Sequence, residues 1–245
     1  MAIFDGMKVY CFIWLALGMT YYFAEWYVIS NPGDKDKFFG QFMFVLIPMS
    51  YFACDVLLFI SAFVNTYNFM KADLTVTFVL KQYLKRYVRF AFVMLITLWL
   101  GWSIISWLVS GPAAPLYLKT FTDCKTLWWT NFLMINNFHP AKSGEGSCMW
   151  WTWYLSVDFQ LYLLLPFVVL LLKKAPSIGF YGSIAVIPLS IIATGVQNSQ
   201  LNEPGFGPAF SEAYLTNVFM KPWARMASYF IGIVLAVRFF HQVKR

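Results

Sequence analysis

The stretch WYLSVDFQLYLLLPFVVLLL, residues 153–172, decides the fold. It holds one charge, Asp158, in twenty residues and ends on Lys173 and Lys174. A run of that length and apolarity matches the hydrocarbon thickness of a bilayer when helical. A helix is the reading because lipid cannot satisfy an open backbone. Working outward, similar stretches occur at about residues 8–29, 42–64, 88–110, 178–196 and 224–240. The segment Leu74–Tyr87 mixes Phe78, Val79 and Leu80 with Lys81, Lys85 and Arg86, which predicts a helix lying along the interface. The expected fold class is all-α, a polytopic transmembrane bundle of about six spans plus an interfacial helix. It forms a single domain over residues 1–245.

Composition excludes a soluble alternative. Of the 245 residues, 60% are hydrophobic and 21% aromatic, with only 12% charged, more apolar surface than a soluble core of this size buries. The net charge of +7 does not indicate nucleic acid, because the basic residues flank the apolar stretches, where topology and anionic headgroups account for them. The first apolar stretch exceeds a signal-peptide core and carries Trp14 and Trp26, so it reads as a retained span; no Arg- and Ser-rich presequence is seen.

Positive charge sets the orientation. One side collects Lys8, Lys71, Lys81, Lys85, Arg86, Arg89, Lys173, Lys174, Arg238, Lys244 and Arg245. The other holds Lys35, Lys37, Lys119, Lys125, Lys142, Lys221 and Arg225. The excess on the first side places both termini inside. The loop Gly111–Trp151 is then outside, where Cys124 and Cys148 are candidates for a disulfide if that side is oxidising. The two Cys with His139 lack the paired spacing of a zinc site, so no metal is expected. Pro204, Gly205, Gly207 and Pro208 mark residues 197–222 as a turn-rich outer connection.

Four patterns carry a resemblance. Asp5-Gly6-Met7-Lys8 opens the chain. Asp55-Val56-Leu57-Leu58-Phe59-Ile60-Ser61-Ala62-Phe63 lies in the second span, and Arg86 and Arg89 precede the third. The longest runs from Cys124 through Trp128-Trp129-Thr130-Asn131 and Ile135-Asn136-Asn137-Phe138 to Cys148, Trp151-Thr152-Trp153-Tyr154-Leu155, Asp158 and Gln160. Lys221-Pro222, Arg225, Tyr229 and Ile231-Gly232 follow. In this order they resemble the acyltransferase-3 family, in particular its nose-resistant-to-fluoxetine-like membrane acyltransferases. The resemblance implies a shortened core, since such proteins normally continue with further spans, and it places the family's His at Met19 and its Arg at Lys8.

Acyl transfer to a hydroxyl needs a base for the acceptor's proton, and imidazole suits because its pKa lies near working pH. A thioether at Met19 cannot take that proton. Lys8 keeps charge but loses the planar guanidinium fork. His139 and His241 lie off span one. Asp55 and Asp158 are intramembrane carboxylates, costly and often functional, with pairing to a buried cation as the bland reading. Arg86 and Arg89 suit lipid headgroups, or the phosphates of acyl-CoA if the chain is active. Ser61 lacks a neighbouring base and reads as a packing residue.

The expected function is therefore a catalytically degenerate acyltransferase-like protein, a structural or lipid-binding subunit of a larger membrane assembly, with a respiratory assembly as the candidate. It would need no cofactor and would partner with membrane lipids and other membrane subunits. The rival is an active O-acyltransferase moving an acyl group from acyl-CoA to a lipid or sugar hydroxyl, with Asp55 or Asp158 as base. A transporter would require more intramembrane charge than the sequence offers. The expected membrane is the mitochondrial inner membrane, ahead of the endoplasmic reticulum or plasma membrane.

Overall fold

A computed structural model of the chain describes residues 2–22, 37, 41–108, 110–111, 114–140, 146–201 and 212–244. Its long helices are α1 (Ala2–Tyr22), α2 (Phe52–Lys71), α3 (Val76–Leu100), α4 (Ala114–Phe132), α5 (Trp153–Lys174), α6 (Pro176–Leu201) and α7 (Pro222–Lys244). No strand occurs among the described residues. Among the described residues, six segments are long and apolar enough to cross a membrane: Ile3–Tyr21, Phe44–Lys71, Val76–Ile104, Trp150–Lys174, Pro176–Leu201 and Pro222–Val243. The chain is an integral membrane protein, as the opening stretch predicts. Residues 23–29 of the first predicted span, with Trp26, and the turn residues 204–208 lie outside the described residues.

Two boundaries differ from the sequence reading. The basic segment Leu74–Tyr87 is not separated from the third span: Thr75 caps α3 by accepting from Phe78 N, and the helix then runs unbroken to Leu100. Lys and Arg interrupt the apolar pattern, but Arg86 turns inward and Lys81, Lys85 and Arg89 lie four residues apart on one exposed ridge, so the helix continues through them. The outer loop Gly111–Trp151 also contains a helix of its own, α4, too polar along Lys119, Asp123 and Lys125 to stand out by hydropathy. Cys124 on α4 is joined to Cys148, with Cα atoms 4.5 Å apart, which ties this helix to the start of α5.

The packing centre is α7, which lies along both α2 and α6. Its Ser228, Gly232 and Ala236 recur every four residues and form a ridge of small side chains. A Cβ on Gly232 would stand 2.5 Å from the Phe59 carbonyl and 2.9 Å from the Ala62 Cβ, so only glycine permits this approach of α2 and α7. In lipid such close backbone packing replaces the hydrophobic drive that is missing between helices. Around the contact, Trp153, Tyr229, Leu58, Leu161, Leu165 and Ile233 are almost fully buried. On the far side of α7, Ser190 of α6 donates to the Trp223 carbonyl at 2.5 Å and accepts from Ala227 N at 3.2 Å. By contrast, α1 turns Ile3, Val9, Tyr10, Phe12 and Ile13 outward.

Candidate functional site

Each intramembrane carboxylate is positioned by a different set of helices. Asp158 lies one and a half turns into α5, and Arg86 lies ten residues into α3, about 15 Å along its axis. The two side chains are each only 6% exposed. Arg86 Nη2 donates to Asp158 Oδ2 and to Ser61 Oγ, the latter at 2.8 Å, while Ser61 Oγ donates to Asp158 Oδ1 at 2.8 Å. The result is a closed ring of three residues from α2, α3 and α5. The Arg86 guanidinium also lies 4.0 Å from the Tyr162 ring centroid, where the ring face meets its positive charge. A buried charge of either sign costs several kcal/mol unless paired and hydrogen-bonded; this ring supplies the pairing, while Arg86 Nε is left without a hydrogen-bond partner among the described residues.

Asp55 occupies the second centre, between α2 and α7. Its Oδ2 accepts from Arg225 Nη1 at 2.7 Å and its Oδ1 from Ser228 Oγ at 3.1 Å. Arg225 Nε reaches the Phe219 carbonyl at 3.2 Å, and the guanidinium sits 4.0 Å from the Phe219 ring centroid. This pair is less enclosed, with side chains 11% and 20% exposed.

The polar residues of the longest motif form a third arrangement that binds the outer loop to the bundle. Asn131 Nδ2 donates to the Cys148 carbonyl at 2.9 Å, and Thr152 Oγ1 donates to Asn131 Oδ1 at 2.7 Å while accepting from Asn136 Nδ2 at 2.9 Å. Ser156 Oγ donates to Asn136 Oδ1. Asn137 and Gln160 exchange amide bonds at 3.0 and 2.9 Å, and Gln160 Nε2 also donates to the Met134 carbonyl. Lys221 Nζ closes the set on the Asn137 carbonyl at 2.7 Å, with the Phe138 ring centroid 5.0 Å away. Burial there pushes the Lys221 ammonium below its usual pKa, since removal from water disfavours the charged form.

The predicted site residues are thus dispersed. Lys8 is exposed and pairs with Asp5 at 3.0 Å, one turn away. Met19 is half-buried and packs against the main core. Arg86 and Arg89, read from sequence as a joint pair, part company: the first is locked inside on Asp158, the second is exposed with its guanidinium 5.6 Å from the Phe90 ring. His139 stacks on Trp129 with centroids 5.8 Å apart, and His241 lies against Phe240. Among the described residues no three His, Cys, Asp or Glu side chains converge as a metal site. Ser61, read as a packing residue, is a member of the Arg86 ring. Arg225, counted as an outer-loop charge, is the partner of Asp55, and an Arg one turn inside an apolar span was the available signal.

Three comparisons with known proteins bear on this arrangement. The chain matches the sequence model of the acyltransferase-3 family, described as an acyltransferase domain, over residues 2–245. It is 26% identical over 258 aligned residues to nose resistant to fluoxetine protein 6 of Caenorhabditis elegans, a match that covers 94% of this chain and 31% of that protein. The chain therefore spans about a third of the length of this curated relative. No solved structure matches it.

Proposed function

This chain belongs to the acyltransferase-3 family, and from that premise we propose that it is a catalytically degenerate member serving as a structural or lipid-binding subunit of a larger membrane complex. One observation carries the reading: both intramembrane carboxylates available to replace a missing base are already engaged, Asp158 by Arg86 and Ser61, Asp55 by Arg225 and Ser228. With each oxygen already facing a protein donor, neither carboxylate is aimed at an incoming hydroxyl as a general base must be. At Met19 the core contains a thioether, which has no proton-accepting role at neutral pH.

The lipid-binding half of the proposal draws on the exposed ridge of Lys81, Lys85 and Arg89, spaced to meet a row of anionic headgroups. The exposed apolar side chains of α1 leave a helix face open to lipid or neighbouring subunits. No cofactor enters this proposal. The compartment we propose is the mitochondrial inner membrane within a respiratory assembly, with the Cys124–Cys148 disulfide on the oxidising intermembrane side.

The test has two arms. In mild detergent, a native gel of the membranes is expected to show the chain within a large assembly, and fractionation to recover it with inner-membrane markers. Migration as a free monomer would remove the subunit role. Purified protein given labelled acyl-CoA and hydroxyl acceptors is expected to show no turnover. Transfer or hydrolysis that disappears on Asp55→Asn, in protein that keeps its size-exclusion profile, would establish the rival reading, an active O-acyltransferase.

A further inference from the structure

The outer end of α3 and the helix α4 enclose an open-sided cavity of about 500 Å³ lined by Trp102, Leu118, Phe121, Thr122 and Lys125. That volume is within the range of small-molecule sites. We propose that it binds a single-chain amphiphile with an acidic headgroup, a long-chain carboxylate. The site is remote in sequence from both ion pairs and does not depend on whether the chain transfers acyl groups.

The cavity is built rather than left over. Residues Gly101–Ile105 form a π-turn at the end of α3, a distortion that recurs at functional positions because it re-aims side chains. It sets Trp102 so that its indole Nε1 donates to the Phe121 carbonyl at 3.0 Å, bracing the two walls. The Phe121 ring fills the space above Gly101, where a Cβ would lie 1.9 Å from the ring, so the glycine admits the ring that forms the floor. The disulfide at Cys124 fixes α4 in place beside it.

The lining also has a polarity. Leu118, Phe121, Thr122 and Lys125 follow the i, i+3, i+4, i+7 spacing of one helix face, so the slot passes from apolar to cationic over about 10 Å. Thr122 turns its hydroxyl back to the Leu118 carbonyl at 3.0 Å, which leaves Lys125 as the charged group of the lining. Lys125 has no acidic partner among the described residues. The adjacent acid, Asp123, is directed instead at Gly146, whose amide donates to its Oδ2 at 2.8 Å. An unpaired ammonium at one end of an aromatic slot selects an anion bearing one apolar chain. A neutral lipid leaves Lys125 unmet, and a slot one helix face wide suits one chain better than two.

The experiment uses the whole chain in phosphatidylcholine nanodiscs with a diazirine-bearing palmitic acid, and maps the photolabel by mass spectrometry. Labelling is expected within residues 99–108 and 114–132, competed by palmitate and not by hexadecanol. Lys125 is exposed and bears no fold contact, and Lys125→Gln is expected to lower labelling about tenfold, the scale of one charge-assisted contact. Leu118→Trp, which fills the slot and keeps the charge, is expected to abolish it. Equal competition by hexadecanol, labelling that survives both variants, or equal marking of the same peptides by a diazirine phospholipid would overturn the proposal, since each describes ordinary boundary lipid.

Discussion

Replacing Asp158 by Asn tests whether the Arg86 ring stabilises the fold or serves another end. The substitution keeps shape and one acceptor oxygen but removes the charge, leaving Arg86 94% buried with a neutral amide, Ser61 and the face of Tyr162 as its partners. Breaking one side of a buried ion pair costs about 3–5 kcal/mol, because the other charge stays behind without compensation. For a chain of this size each kcal/mol moves the melting temperature by about 2–4 °C, so a fall of about 6–20 °C is expected for Asp158→Asn. The informative comparison is Arg86→Met with Asp158→Leu, which removes both charges and fills the space with apolar atoms. Such replacements are often neutral or stabilising, so the double variant is expected to recover most of the loss. The assay is thermal unfolding in detergent followed by fluorescence-detected size exclusion. A double variant as unstable as the single one, or a single variant that melts with wild type, would refute the reasoning that mutual neutralisation holds these residues in place.

Three further outcomes follow from other contacts. Cys148→Ser opens a link spanning 24 residues and is expected to lower stability by about 3 kcal/mol, read as a lower melting temperature that dithiothreitol does not lower further. Gly232→Leu places atoms where the Phe59 carbonyl and Ala62 already stand, and is expected to abolish the monodisperse size-exclusion peak, whereas Gly182→Leu, with open space at its Cβ, is expected to keep it. Burial lowers the pKa of Lys221 from 10.5, so between that depressed value and 10.5 the unfolded chain binds more protons than the folded one, and folding stability rises with pH across this window. Lys221→Gln is expected to flatten that rise; melting curves of both proteins from pH 7 to 10 that keep a constant difference would contradict it.

How much of this was legible in the residues depends on the range of the interaction. The apolar runs announce the spans because membrane thickness acts on each segment alone, and Trp153–Lys174 was readable without its neighbours. The Cys124–Cys148 pair was readable as a candidate because both residues share one loop. Asp55 and Asp158 were visible as costly residues needing partners, but which cation serves which acid is set by helix adjacency, and Asp55 meets Arg225 from the far end of the chain. Hydropathy also mistook position for exposure at Arg86, whose basic neighbours are exposed while it turns inward. The Asn131, Asn136, Asn137, Thr152 and Gln160 motif was recognisable as a pattern, yet its reason, a hydrogen-bond lattice holding the outer loop on α5 and α7, exists only in three dimensions. The helix α4 was missed because its charged residues dilute an otherwise helical pattern.

The bond between Asp55 and Arg225 has a consequence for biogenesis. The two residues are 170 positions apart, so at about 5–20 residues per second the ribosome needs roughly 8–35 seconds to supply the arginine after the aspartate has been made. A second span that enters the bilayer before α7 carries a carboxylate whose insertion costs about 2.5–3.5 kcal/mol. Until Arg225 and Ser228 are in place, Asp55 lacks both of the partners that hold it in the folded chain. The arrival of α7 ends that stage. Both partners of the α2 carboxylate come from α7, so the charge of the second span and the packing of α7 are settled in one step.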